Sequence, residues 1–221
     1  MGRLETATQT ATLVTDVFYC SGGVNPSGQI VASKSWIGET SQMGLELNIE
    51  NYYKWAASGL VGNRNRGIFA EWLVGQALNA IKNGDQRIEW DAVDLRSKDV
   101  AIEVKASGRN QGWDATGSST PRWSIPKNKR VWEAKNNEVI SFDSPERNAD
   151  IYIFCLHESI PATNENVADP ASWSFWVIAT KIIDKELGDQ RSLGESTLNQ
   201  LTQSVSWLEL PKEFKRVIES I

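Results

Sequence analysis

The chain is short of the residues that many metal-binding and nucleophilic enzymes use. Its 221 residues include one histidine, His157, and two cysteines, Cys20 and Cys155. A single histidine excludes His-rich metal clusters, and any Ser or Cys triad would depend on His157. These three residues do not reproduce a zinc-site spacing either. Because the two cysteines lie far apart in a chain of cytoplasmic character, we expect free thiols and no disulfide.

Long apolar runs and phosphate-binding glycine loops are also absent. No stretch approaches the roughly 18 apolar residues of a membrane span, and residues 1–35 hold no signal-like run. The patterns G-x-x-x-x-G-K and G-x-G-x-x-G do not occur, which argues against an NTP-driven enzyme. We therefore expect a soluble, cytoplasmic protein without a membrane partner.

The length and the 40% hydrophobic content suit a single α/β domain. Residues 1–46 are rich in Thr, Ser and Gly and are predicted to be an N-terminal decoration. The core is expected at about 47–180, followed by a helical extension at 181–221. A net charge of −5 argues mildly against a nonspecific nucleic-acid coat, although a local basic patch can exist in an acidic protein.

Hydrophobic periodicity predicts the elements of that core. One helix begins at Ile49 and stops at Ser58-Gly59, and a second runs from Arg66 to Ile81. A short helix is predicted at 127–136, with loop-like sequence before it. Continuous apolar runs predict buried strands at 151–156 and 173–178, and helical spacing returns around 198–205 and 214–221.

The most informative segment is an apolar strand that carries an acid and a base. Glu103 and Lys105 lie within the run 100–105, and a hairpin turn at Lys98-Asp99 joins this run to residues 91–96. A two-residue turn places Asp94 opposite Glu103, with Lys105 on the same face. Val93 and Leu95 are then expected on the other face with Ile102 and Val104. The neighbouring Asp91 has the opposite parity, so Asp94 is the preferred partner.

The triplet Glu-x-Lys alone carries little weight, because it also occurs at 133–135 and 213–215 in polar, helix-like context. Only the copy at 103–105 combines an apolar strand, an upstream aspartate in register and an upstream helix with one acid, Glu71. For Glu71 alone, a carboxylate at the edge of the core is an equally simple interpretation.

These residues resemble the PD-(D/E)XK nuclease superfamily, the restriction-endonuclease-like proteins, over roughly residues 66–156. The resemblance implies a mixed β-sheet flanked by helices in an αβββαβ order. It also implies a metal-dependent nuclease whose catalytic residues are Glu71, Asp94, Glu103 and Lys105. One departure is Val93, which stands where the family pattern often has proline.

The chemistry of these side chains fits that resemblance. Asp94 and Glu103 are hard oxygen ligands suited to Mg²⁺ or Mn²⁺, with the Val104 carbonyl as a further ligand. Lys105 would hold the attacking water, help to deprotonate it and stabilise the developing charge. Glu71 would position a metal-bound water or a second ion.

Cations and aromatic residues follow the Glu-x-Lys strand. Residues 105–135 contain seven Lys and Arg against two acids, and three tryptophans are interleaved that would stack on unpaired bases. Solvated surface cations and core tryptophans are the alternative interpretation. The tryptophans are Trp113, Trp123 and Trp132. The candidate nucleic-acid contacts are Arg64, Arg66, Arg109, Gln111, Arg122, Lys127, Lys129 and Arg130.

The sequence therefore predicts a nuclease that acts on nucleic acid, with DNA preferred, and cutting of both strands would favour a homodimer. Two alternatives stay open. One is a protein on the same fold that binds nucleic acid without cleaving it. The other is a carbohydrate- or protein-binding module, suggested by ten tryptophans and the loop 107–123.

Overall fold

The computed structural model describes residues 49–112 and 119–221, together with the backbone of two short N-terminal strands. These strands, β1 (Gly23–Val24) and β2 (Ile30–Val31), pair antiparallel. The chain divides into two compact units, residues 1–50 and 51–221. The division lies close to the predicted end of the N-terminal decoration at 46. Cys20 falls outside the described residues.

The remaining elements form an α/β unit. The strands are β3 (Leu95–Ser97), β4 (Val100–Gly108), β5 (Arg122–Ser124), β6 (Asn128–Glu133), β7 (Glu138–Glu146), β8 (Ile151–His157), β9 (Trp173–Ala179) and β10 (Ser192–Gly194). The helices are α1 (Ile49–Ala57), α2 (Asn63–Ala77), α3 (Asn164–Ala168), α4 (Thr180–Leu187), α5 (Glu195–Leu201) and α6 (Leu210–Ile218). A 3-10 turn at Pro170–Ser172 precedes β9.

The central sheet has four strands in the order β3-β4-β8-β9. β4 pairs antiparallel with β3 and parallel with β8, and β9 pairs antiparallel with β8. The sheet is therefore mixed, as the sequence predicts. The hairpin register is confirmed as well, because Leu95 pairs with Ile102 and Ser97 with Val100 around the turn at Lys98. Lys98 has φ 56°, a left-handed conformation typical of such turns.

Strand β8 is buried on both faces, which explains its continuous apolar run. Ile151 and Ile153 pack on one side of the sheet, with α2, α6 and the apolar residues of β4. Tyr152 and Phe154 pack on the other side, with α4, α5, β5 and β10. Three layers result, and the sheet is the middle one. The thiol of Cys155 is free and buried in this interior.

The predicted helix at 127–136 is wrong, because this segment is β6 and pairs with β7 as a hairpin. Val131 and Trp132, which are β-branched and aromatic, lie opposite Ile140 and Val139. The turn between the strands uses Asn137 at φ 52°, a residue that tolerates this conformation. In the described part of the connection from β4 to β8, strands thus stand where the αβββαβ order places a helix.

The C-terminal segment completes the core and is not an extension outside it. Leu210, Phe214 and Val217 of α6 are buried against β9 and α2. The helical extension predicted at 181–221 thus contributes side chains to this core. Among the described residues, no helix is both long enough and apolar enough to cross a membrane.

Candidate active site

Strand β4 carries Glu103 and Lys105 on one face of the sheet. Ile102 and Val104 alternate with them and pack against α2 on the other face. The Glu103 and Lys105 side chains are 19% and 29% exposed, and they form an ion pair with each other. Glu103 lies beside the buried Tyr152 of β8. An acid and a base are thus held together at the border between interior and solvent.

Asp94 lies just before β3, where the ladder of the hairpin ends. Its Oδ2 accepts a hydrogen bond from the backbone N–H of Val104 at 2.8 Å. Because the N–H and C=O of one strand residue point to the same side, the Val104 carbonyl is also directed toward Asp94. At this bond the alternation of side chains between the two faces of the sheet ends. Val93 packs with Tyr152 on one face, and Leu95 packs on the other face, whereas the sequence predicts both on the same face.

Glu71 comes from α2 and is engaged by a residue that the sequence did not single out. Arg87 donates two hydrogen bonds to its carboxylate, Nε to Oε2 at 2.6 Å and Nη2 to Oε1 at 2.9 Å. Such bidentate pairs are among the stronger charged hydrogen bonds. The Glu71 charge also acts on both Asp94 and Lys105. Glu71 therefore belongs to the electrostatic surroundings of the site.

The electrostatics of the site show an excess of negative charge. Burial, followed by the charges of Glu103 and Glu71, raises the pKa of Asp94 to about 7, although Lys105 and the Val104 N–H act against this. Burial lowers the pKa of Lys105, but the carboxylates of Glu103, Asp94 and Glu71 together raise it by more, so that the pKa lies above its ordinary value. Lys105 is therefore an ammonium ion in this geometry.

A divalent cation fits this donor set. Asp94 is a desolvated carboxyl beside two other carboxylates, and a cation would stabilise its charged form. Mg²⁺ usually takes only one or two protein carboxylates and keeps several waters. Asp94, Glu103 and the Val104 carbonyl would supply such a set. In the described part of the chain, no group of three or more His, Cys, Asp or Glu side chains is arranged as a metal site.

The carboxylates open into a cleft of about 650 Å³ between the sheet and the β6–β7 hairpin. Its lining includes Arg87, Trp90, Asp94, Glu103, Lys105, Asn128, Arg130, Trp132, Asn148 and Tyr152. A neighbouring depression of about 520 Å³ is lined by Glu71 and Trp72. Arg87 and Asp94 line both spaces. The structure thus brings Asp94, Glu103 and Lys105 into one cleft. Glu71 lines the neighbouring depression.

Asp91 has a structural role beside this cleft. Its Oδ1 accepts from the backbone N–H groups of Ala92 at 2.8 Å and Ala134 at 2.9 Å. Ala134 directly follows β6, so these bonds tie the hairpin to the segment that carries Asp94. Asn148 donates to the Ala92 carbonyl and holds the same segment from another direction.

No family model and no curated protein matches this chain.

Of the predicted phosphate contacts, Arg66 is buried and Gln111 is half-buried. Arg66 is 2% exposed, and it donates to the carbonyls of Val61 at 3.3 Å and Asn110 at 3.1 Å. It also donates to Gln111 Oε1 at 3.1 Å and to the Asn63 side chain. Arg66 thus joins the N-terminus of α2 to the segment after β4, and Gln111 is one of its acceptors.

The other predicted contacts divide into paired and exposed cations. Arg109 forms ion pairs with Glu158 and Glu195, and its side chain is partly exposed. Lys127 pairs with the exposed Asp189 at 2.9 Å. Arg64, 75% exposed, lies 3.9 Å from Glu89. The remaining three are exposed on β5 and β6, and one of them, Arg130, lines the cleft. These three are Arg122, Lys129 and Arg130.

The tryptophans that are predicted to stack on bases differ in their burial and surroundings. Trp123 is buried, donates from Nε1 to the Cys155 carbonyl at 3.2 Å, and packs edge-on against Phe154 and Trp176. It is a core residue and cannot stack on a base. Trp132 is half-buried and lines the cleft. Trp113 lies outside the described residues.

Sequence reasoning missed Arg87 and Trp90. Both lie between α2 and β3 in a segment that has no periodicity to draw attention to it. Trp90 is 84% exposed, has φ 73° and lines the cleft. A tryptophan is ordinarily assigned to a core, so exposure on the site side could only be learned from the tertiary structure.

Proposed function

We propose that this cleft is the active site of a metal-dependent nuclease that hydrolyses phosphodiester bonds of nucleic acid, with DNA as the expected substrate. The observation that carries the proposal is the convergence of Asp94, Glu103 and Lys105 at one border of the sheet, with Asp94 desolvated among carboxylates. A structural role alone does not account for this, since an unpaired buried charge is unfavourable. A divalent cation would compensate the charge of these carboxylates.

We also propose that the fold is restriction-endonuclease-like. Helix α2 packs against the mixed sheet, and the hairpin β3–β4 continues into the parallel strand β8. These features support the resemblance, whereas the strands β5 to β7 between β4 and β8 depart from its αβββαβ order.

The residues of the site divide the chemistry among them. Asp94, Glu103 and the Val104 carbonyl would hold a Mg²⁺ or Mn²⁺ ion, which would supply Lewis-acid polarisation of the phosphate. The Lys105 ammonium donates hydrogen bonds to the attacking water and to the developing negative charge. In hydrolysis the water oxygen bonds to phosphorus as the P–O bond to the leaving group breaks. The proton of the water passes to solvent, and the leaving oxygen takes up a proton.

Arg87 and Arg130 line the same cleft and are the candidate phosphate contacts. A guanidinium binds phosphate with two parallel hydrogen bonds, as Arg87 now binds Glu71. Glu71 would then hold Arg87 ready beside the scissile phosphate. In this proposal Glu71 positions Arg87 by accepting its two hydrogen bonds, and its negative charge acts on Asp94 and Lys105.

The test compares the parent with Lys105→Ala on a panel of single-stranded and duplex DNA and RNA, each with Mg²⁺ or Mn²⁺. We expect metal-dependent cleavage by the parent and a loss of about 10²- to 10³-fold in Lys105→Ala, as for removal of a donor to a developing anion. Binding of the substrate should be largely retained.

Lys215→Ala is the matched control, because it removes the lysine of another Glu-x-Lys triplet, 77% exposed on α6. It should cleave as the parent does. Equal activity of the parent and Lys105→Ala would exclude the proposed mechanism.

A second candidate function is nucleic-acid binding without cleavage. The exposed cations of β5 and β6, Arg122, Lys129 and Arg130, favour it, because they serve binding whether or not the site cuts. Salt-dependent binding that yields no product with either metal would support this candidate. A homodimer, which double-strand cutting would favour, is tested by the mass of the protein in solution with and without DNA.

A further inference from the structure

Trp90 presents a large apolar side chain to solvent at the cleft. Its side chain is 84% exposed, and it lines the same space as Asp94 and Lys105. Its backbone has φ 73°, a left-handed conformation that is unfavourable for a bulky residue. Residues in such conformations occur often at binding sites, where the surrounding structure holds them. Neither the core nor the proposed catalysis accounts for this side chain.

We propose that Trp90 stacks on an unpaired nucleobase of the nucleic acid in the cleft. The inference rests on the proposed function, because it takes the ligand to be a nucleic acid. It adds the substrate class: a strand that is single, bulged, or opened near the scissile phosphate.

The position of Trp90 along the chain supports stacking close to the reacting phosphate. Trp90 is four positions before Asp94 in the chain, so their Cα atoms are at most about 14 Å apart. Both residues line the cleft. The proposal therefore places the stacked base within about one or two nucleotides of the phosphate bound beside Asp94.

The surroundings favour a nucleotide over an uncharged ligand. Arg87 and Arg130 line the cleft with Trp90, as do the acids Glu89 and Asp91. Cations beside an aromatic face are typical of single-strand binding. A cleft of about 650 Å³ is of the size that holds a small organic ligand. One or two nucleotides fit such a space, whereas the full width of a duplex does not.

The experiment scans an abasic position along a single-stranded oligonucleotide, four nucleotides to each side of the cleavage point, with the parent, Trp90→Ala and Trp90→Phe. We expect Trp90→Ala to lower kcat/KM by about 5- to 150-fold, the range for loss of one base stack. Trp90→Phe should retain most of the activity. At one position, removal of the base should lower the kcat/KM of the parent by as much as Trp90→Ala lowers it on the intact oligonucleotide. On that abasic substrate, Trp90→Ala should cause no further loss of kcat/KM. A fully paired duplex of the same sequence should respond weakly to Trp90→Ala.

Trp55→Ala is the control, because Trp55 on α1 is 78% exposed and does not line the cleft. The same scan is read as binding affinity in the Lys105→Ala background, so that stacking is measured without cleavage. In one outcome the parent cleaves no substrate, while at one abasic position the loss of the base and Trp90→Ala together weaken binding no more than either change alone. This result would support stacking by Trp90 and would overturn the proposed nuclease activity.

If the parent cleaves and every abasic position lowers kcat/KM by the same factor in the parent and in Trp90→Ala, the stacking proposal is overturned. The proposed nuclease activity is then unaffected. Absence of binding to any nucleic acid overturns both. An oligosaccharide that raises the melting temperature of the parent but not of Trp90→Ala would overturn the nucleotide assignment as well.

Discussion

At the scale of single residues, the raised pKa of Asp94 makes its carboxylate a source of instability in the metal-free protein. Its folded pKa of about 7 lies above the ordinary 3.8, so the folded state holds this proton more tightly than the unfolded state. The resulting stabilisation is present in full below pH 3.8 and is lost as the pH rises through 7. Asparagine at this position resembles the neutral form.

We therefore expect Asp94→Asn to be more stable than the parent at pH 8 without metal, and the difference to shrink toward pH 5. A shift of this size corresponds to about 4 kcal/mol, which solvent screening reduces to about 1–2 kcal/mol, or roughly 2–8 °C in Tm. Mg²⁺ should raise the Tm of the parent and not that of Asp94→Asn. Asp143→Asn, on the exposed surface of β7, is the control. A lower Tm for Asp94→Asn in metal-free buffer would contradict the assignment.

At the scale of elements, the β6–β7 hairpin is a separate two-stranded sheet that forms one wall of the cleft. Asp91 holds it through the Ala134 N–H at 2.9 Å. We expect Asp91→Ala to loosen this wall, because a hydrogen bond to a charged acceptor contributes about 1.5–3 kcal/mol. Hydrogen exchange should accelerate in 128–146 while β8 keeps its protection. Asp143→Ala, within the same hairpin, should leave both unchanged, and equal protection of β6 in Asp91→Ala and the parent would refute this role.

At the scale of the whole molecule, α6 closes the core that α2 and the sheet begin. Leu210 is 0% exposed, so Leu210→Ala should lower the free energy of unfolding by about 2–5 kcal/mol. Leu208→Ala is the matched control, since Leu208 is 82% exposed two residues away and should change stability little. Chemical denaturation of both variants measures this. Equal midpoints would mean that the C-terminal segment is an extension after all.

Local pattern was sufficient to predict the hairpin register and the buried strands. The pairing of Leu95 with Ile102 follows from a two-residue turn between runs of period two, and the β8 run is too apolar to lie anywhere but inside. The prediction of a helix at 127–136 was wrong because the charged residues of β6 resemble those on the solvated face of a helix. Its strand character depends on pairing with β7, which lies beyond the window that a periodicity test uses.

The sequence by itself determined which residues can carry the proposed chemistry: strand alternation places Glu103 and Lys105 on one face, and the hairpin turn brings Asp94 beside β4. The tertiary structure decided the environment of every other candidate. It buried Arg66, paired Arg109 with two glutamates, and exposed Trp90 beside the cleft. The physical reason is that a cation or an indole has no local preference strong enough to fix its surroundings. Burial and partners come from contacts distant in the chain.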